Sequence, residues 1–333
     1  SAGVGLMFGD GVKDRLQRDQ VFVQLEHKWA SLIIGSKRND ESFEGLSSTN
    51  SNILYSGNAR SIPGVLIESP GYLSILPRVG VTYGLGHYVL NDNRFVDDTY
   101  VHYKRLGFRV KTTKRSTFDI TLQHFVQWGG TSPELGKLPS SFEDFVKVFF
   151  AQNAGEEAPT GEVVNALGNH IGSYNINYTY TTDETELSLY HQHLFEDGTG
   201  ARFRNFADGV WGITYKPKSN VIKRLLYEFV TTTDQSGFSN NGLDNYFSNS
   251  IYRSGWTYEG RTIGLPFLYR NESDLRFTNN SVTAHHFGVS AMHNKWVFKL
   301  RTSLVSNKGT LVILQLNNIK THSMNLPLTE NML

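Results

Sequence analysis

Tyr174-Asn175-Ile176-Asn177-Tyr178-Thr179-Tyr180 alternates large and small side chains at period two. Ile176, Tyr178 and Tyr180 fall on one face and Asn175, Asn177 and Thr179 on the other, because successive strand residues point to opposite sides. Thr181-Thr-Asp-Glu-Thr185 is a polar break that reverses the chain, and Glu186-Leu-Ser-Leu-Tyr-His-Gln-His-Leu-Phe195 returns as a second strand. One apolar face and one polar face suit a wall between lipid and water. A soluble antiparallel sheet with one solvated face gives the same alternation. The rest of the chain decides between them.

Composition narrows the choice. Net charge is +1 over 333 residues, so no bulk field favours nucleic acid. Cysteine is absent, which excludes thiolate metal sites, disulfides and thiol catalysis. No run approaches the ~18 apolar residues of a membrane-crossing helix. Aromatic residues nevertheless reach 13%, as in a barrel whose rims carry aromatic girdles.

The hairpin pattern recurs along the chain. Residues 20–28 and 31–37 flank a reversal near Trp29. Strands are expected at 62–68 and 73–84, joined by Ser69-Pro70-Gly71. In 102–112, Leu106, Phe108 and Val110 oppose Arg105, Arg109 and Lys111, and in 117–128 Phe118, Ile120 and Leu122 oppose Asp119, Thr121 and Gln123. Later hairpins pair 205–217 with 220–232 and 282–293 with 295–305, before a last strand at 310–320. Ser140-Ser-Phe-Glu-Asp-Phe-Val-Lys-Val-Phe-Phe150 changes to a helical period, with Ser140 and Glu143 as a capping box. This helix is expected in the barrel mouth or on the loops.

About fourteen strands result, and their connections sort by length. Short turns at 69–71, 112–116, 181–185, 216–219 and 293–294 fall at one end. Long segments at 36–61, 85–101, 129–169 and 233–281 fall at the other. A soluble sandwich has no reason to segregate loop length in this way. The expected fold is all-β, an antiparallel outer-membrane β-barrel of 14–18 strands with one short helix in a long plug or surface loop. Residues 1–333 then form a single transmembrane barrel domain, with N-terminal strands either absent or hidden in segments read as loops.

Several stretches carry a resemblance. They include Ser56-Gly-Asn-Ala-Arg-Ser-Ile-Pro63, Gln123-His-Phe-Val-Gln-Trp-Gly-Gly-Thr-Ser-Pro133, Leu167-Gly-Asn-His-Ile-Gly172, Tyr190-His-Gln-His-Leu-Phe-Glu-Asp-Gly198 and Gly255-Trp-Thr-Tyr-Glu-Gly-Arg-Thr-Ile-Gly-Leu-Pro266. Taken in order, they resemble the capsule-assembly Wzi-like family of bacterial outer-membrane proteins, in wording closest to Bacteroidota members. The resemblance implies a barrel of up to eighteen strands acting as a lectin that holds capsular polysaccharide at the cell surface. Its implied partners are capsular or surface polysaccharide, outer-membrane lipid and lipopolysaccharide, and other outer-membrane proteins.

No enzyme motif stands out: neither a Gly-x-Ser-x-Gly elbow nor a His-Glu-x-x-His zinc pattern occurs. No cofactor is expected. His191 and His193, at i and i+2, could chelate a metal but suit a girdle better. Asn91-Asp-Asn with Asp97-Asp98 could be imagined around calcium, and Glu196-Asp197 with Asp208 as a hydrolytic pair. Binding is better supported. Arg78, Arg105, Arg109, Lys111, Arg224, Lys299 and Arg301 are expected to face the lumen and to outnumber Asp119 and Glu228 there. They would either draw in anionic sugars or form ion-pair ladders that stiffen the barrel. Tyr246, Phe247, Tyr252, Trp256, Tyr258 and Tyr269 are expected on outer loops as flat faces for sugars. The function expected is non-enzymatic polysaccharide binding in capsule assembly. The alternative is a porin-like or accessory subunit of an outer-membrane transport complex.

Overall fold

The computed structural model describes residues 1–8, 16–153, 166–196, 198, 200–236, 244–271 and 276–310. Fourteen strands join in one antiparallel sheet. They are β1 (Ala2–Phe8), β2 (Leu16–Glu26), β3 (Ser31–Ser36), β4 (Gly64–Glu68), β5 (Leu73–Leu76), β6 (Val79–Leu90) and β7 (Thr99–Lys111). There follow β8 (Ser116–Trp128), β9 (Asn169–Thr181), β10 (Thr185–Phe195), β11 (Gly209–Pro217), β12 (Ile222–Thr231), β13 (Val282–His293) and β14 (Trp296–Asn307). Each pairs with its neighbour in sequence, except that β4 and β5 lie end to end against β6.

That exception moves one expected turn. Glu68 stands opposite Gly84 and Leu73 opposite Val81, so the chain keeps its direction through 69–71 and reverses at Pro77-Arg78. Ser69 explains why. Its N–H still donates to the Tyr83 carbonyl (3.0 Å) and its hydroxyl bonds that of Thr82 (2.9 Å), so Pro70-Gly71 only bulges the strand. Arg78 is therefore an exposed turn residue and does not face the interior. The connection expected over 85–101 also shrinks, to 91–98.

The two faces of the sheet differ as the alternation requires. Leu106, Phe108, Val110, Phe118, Ile120, Leu122, Ile213 and Leu225 point outward and are exposed. Toward the long-loop end this face turns to rings. His87 lies opposite His102, His191 opposite Trp211, Trp211 opposite Phe229, and Phe229 opposite His285. Rings with an apolar body and a polar tip suit a level where oil gives way to water. His191 and His193 belong to this band. Both His191 ring nitrogens contact backbone carbonyls, of Val210 (3.2 Å) and Phe206 (3.0 Å), and the ring stacks on Trp211 at 3.8 Å.

The inward face changes character halfway along. Near the short turns it carries Arg105, Arg109, Asp119, Thr121, Gln123, Asn175 and Asn177. Near the long loops it carries buried Val101, Tyr103, Phe125, Ile171, Leu194 and Val230. Two connections fold inward and pack on that apolar half. Residues 37–63 contribute Leu46, Ile53 and Leu54, and residues 244–271 contribute Tyr246, Phe247, Trp256, Ile263 and Leu265, all at 0% exposure. The sheet curls around the first segment. Asn52 bonds Gln123 of β8 (2.9 Å), Thr49 bonds Gln192 of β10 (3.2 Å), and the Leu46 carbonyl contacts His286 of β13 (2.8 Å).

Two further expectations are corrected. Tyr246, Phe247, Tyr252, Trp256 and Tyr258 are at most 3% exposed; Tyr269, at 62%, stays open to solvent. A long segment over an apolar interior buries its rings there, which offsets more free energy than leaving them in water. Helix α1 (Phe142–Phe150) is capped by Ser141 with Asp144, one residue later than expected. It does not enter the mouth. Phe145 packs on His87, His102 and Trp128 of the outward face, with ring centroids 6.1, 5.2 and 5.8 Å apart.

Among the described residues β1 pairs only with β2 and β14 only with β13, so these residues do not close the sheet. Residues 311–320 of the expected last strand lie outside the described residues.

Candidate functional site

Three connections meet at the long-loop end and brace one another. The Trp256 indole donates to the Leu54 carbonyl (2.7 Å), and Ser56 donates through its hydroxyl to the Gly264 carbonyl (2.6 Å). Tyr258 donates to Asn91 (2.8 Å), the Glu259 N–H to Asp92 (2.8 Å), and Arg94 to the Thr257 carbonyl (3.1 Å). These bonds engage Asn91 and Asp92 of the imagined calcium loop. Asp92 is also paired to Arg94 at 3.0 Å. Glu259 and Gly260 take positive φ (50° and 77°) between two short paired segments, Thr257–Tyr258 and Arg261–Thr262. Both central residues left-handed make the tight turn of a two-residue hairpin. It holds Glu259 and Arg261 at the mouth.

The braced loops border a cleft of about 1390 Å³. Arg38, Arg60, Arg261, Arg270 and Arg301 line it, with Glu41, Asp92 and Glu259 as its acids. Arg60 pairs with Glu259, Arg38 with Asp19 (3.2 Å), and Arg301 donates to the Gly45 carbonyl (3.2 Å). Arg261 is exposed and has no acidic partner among the described residues. The Lys299 ammonium, 2.9 Å from Glu41, holds that carboxyl below its ordinary range. Guanidinium groups in excess of carboxylates make a cleft that can clasp anionic groups, while its acids and amides accept hydroxyl protons.

A second, smaller cavity of about 590 Å³ lies deeper on the inward face. Arg105 and Asp119 of the expected interior charges line it, and most of the expected set are paired. Arg105 bonds Glu68 (2.9 Å), and Arg109 grips Asp119 through two bonds (2.6 and 2.9 Å) while covering Tyr72 at 4.0 Å. Arg224 bonds Thr214 (2.8 Å) and Glu186 (3.3 Å). Lys111 is exposed at the short-turn end. Glu228, 0% exposed, accepts from the Ser47 hydroxyl (2.6 Å), the Ser48 N–H (2.8 Å) and the Tyr190 hydroxyl (2.6 Å). It holds the inserted segment.

Asp208 is likewise committed. It is fully buried and accepts from the Gln235 N–H (2.8 Å) and the Tyr246 hydroxyl (2.9 Å), while burial pushes its carboxyl above the ordinary range. Glu196 accepts from the Phe247 N–H, and Asp197 lies outside the described residues. Four of the mouth arginines, Arg38, Arg60, Arg261 and Arg270, were not singled out in the sequence. A charge on an irregular loop has no face to assign, and only Arg301 sat on a strand whose alternation pointed it inward.

No curated protein matches the chain. A family model described as capsule assembly protein Wzi matches residues 47–268, a stretch that contains most of the inserted segments and the wall from β4 to β12. That match covers about two thirds of the sequence. The chain therefore belongs to the Wzi capsule assembly family, whose members are outer-membrane capsule assembly proteins.

Proposed function

We propose that this chain is a non-enzymatic outer-membrane β-barrel lectin that binds capsular or surface polysaccharide at its loop end. The observation that carries the reading is the arginine-rich cleft among braced loops, continuous with a filled interior. A polysaccharide offers repeated hydroxyls and, when acidic, carboxylates that match this lining. Barrel closure is part of the proposal. An open sheet edge in lipid leaves backbone donors and acceptors without partners, at several kcal/mol each. The sheet's outward apolar band and ring girdle support the same placement.

Charge reversal tests the site. R38E combined with R261E is expected to weaken binding of acidic capsular polysaccharide by about tenfold or more, since two attractive contacts become repulsive. Raising salt should weaken the wild-type interaction in the same direction. Affinity measured by surface plasmon resonance that is equal in both proteins would reject the cleft, and capsule retained after deletion of the gene would reject the role.

The filled interior also bears on the porin-like alternative. With 37–63 and 244–271 packed inside, single-protein insertion into planar bilayers is expected to give no stepwise conductance. Steady open-channel currents would favour the pore reading.

A further inference from the structure

Helix α1 carries more apolar surface than its packing uses. At 100° per residue its apolar side chains cover a broad arc. One part of that arc docks on the sheet: Val148 is buried and Phe145 and Phe149 touch His102 at 5.2 Å each. The other part, Phe142, Val146 and Phe150, sits at i, i+4 and i+8 as a ridge about 12 Å long. Phe142 is 80% and Phe150 65% exposed. The polar residues Glu143, Asp144 and Lys147 occupy the remaining side.

The place where the helix docks is specific. Most of the outward wall is aliphatic and aromatic, but here it presents His87, His102, Lys104 and His124. Lipid gives such groups no hydrogen bonds. The helix covers His87, His102 and Lys104, and Lys104 donates to the Phe149 carbonyl, a cation at the negative end of the helix. The helix docks at the level of the ring girdle, against His87, His102 and Trp128.

We infer that α1 is an interfacial helix lying against the outer wall, with Phe142, Val146 and Phe150 in the headgroup–acyl boundary of the lipid leaflet. Its occupant is the lipid surface. An amphipathic helix with a polar side toward water and an aromatic ridge toward acyl chains lies in the interface plane. The inference rests on the outer-membrane placement and not on sugar binding, so the two tests fail separately.

Because the chain has no cysteine, single nitroxide labels can be attached to F142C, F150C and K147C in vesicles of phosphatidylcholine and phosphatidylglycerol. Relative to a water-soluble nickel chelate, collisions with lipid-soluble oxygen should be highest at 142, about threefold or more above 147, which lies about 140° around the helix from it, with 150, about 60° from 147, in between. None of the three side chains is buried, so the labels leave the core intact. Equal access to the nickel chelate at all three positions would overturn the inference. So would labels at 142 and 150 shielded from both oxygen and nickel, which would point to a protein contact instead.

Discussion

Replacing Glu228 with alanine is expected to destabilise the inserted segment by about 3–5 kcal/mol, the scale set by three buried donors that lose their common acceptor. Three donors converge on this carboxylate: the Ser47 hydroxyl, the Ser48 N–H and the Tyr190 hydroxyl, at 2.6–2.8 Å. Alanine leaves them buried without an acceptor, and such unsatisfied groups cost about 1–3 kcal/mol each, though not additively. Glu228→Gln keeps the shape and one acceptor oxygen, so it should lose less. The readout is trypsin cleavage after Lys37, Arg38 and Arg60, which bracket the segment. Rapid cutting in E228A beside a resistant wild type is the expected result. Equal resistance in the two proteins would show that the carboxylate does not hold the segment.

Trp256→Ala should have an effect of similar size through a different cause. The side chain is fully buried, lies 5.3 Å from Phe125 between ring centroids, and donates to the Leu54 carbonyl. Truncating a large buried ring costs about 3–5 kcal/mol, because the cavity it leaves collapses only partly. The lost hydrogen bond also loosens residues 37–63 from 244–271, leaving ties such as Ser56 to Gly264. Hydrogen exchange should therefore accelerate in both inserted segments, while β7–β9 keep their protection through pairing of their own. Uniform acceleration across the wall would mean that wall and insertion unfold as one unit.

These two residues also separate what local pattern reveals from what it hides. Alternation with Leu225, Tyr227 and Phe229 puts Glu228 on the inward side of its strand, and there it is buried. Its role as the anchor for residues 181 and 180 positions away was not visible, since nothing in the sequence links it to Ser47 and Ser48. Trp256, by its sequence, is equally a stacking face on an outer loop. An aromatic-rich loop looks the same in sequence whether its rings meet a ligand or an interior. The paired arginines tell a similar story: Arg109 with Asp119 and Arg105 with Glu68 were expected on the interior side, but the choice between free cation and ion pair needed the partners' positions.

Sequence by itself determined which face of each strand is oily and, apart from the reversal it placed at 69–71 instead of Pro77-Arg78, the up-and-down order of the strands and the sorting of short turns from long connections. Those properties are local: the pleat fixes a side chain's direction from its own position and its immediate neighbours. Tertiary structure alone decided that two connections fill the interior, that α1 lies on the outer wall, and that arginines from separate loops gather at the mouth. Such contacts join residues far apart in the chain, and they form only when the curl of the sheet brings its inward faces and loops within reach of one another.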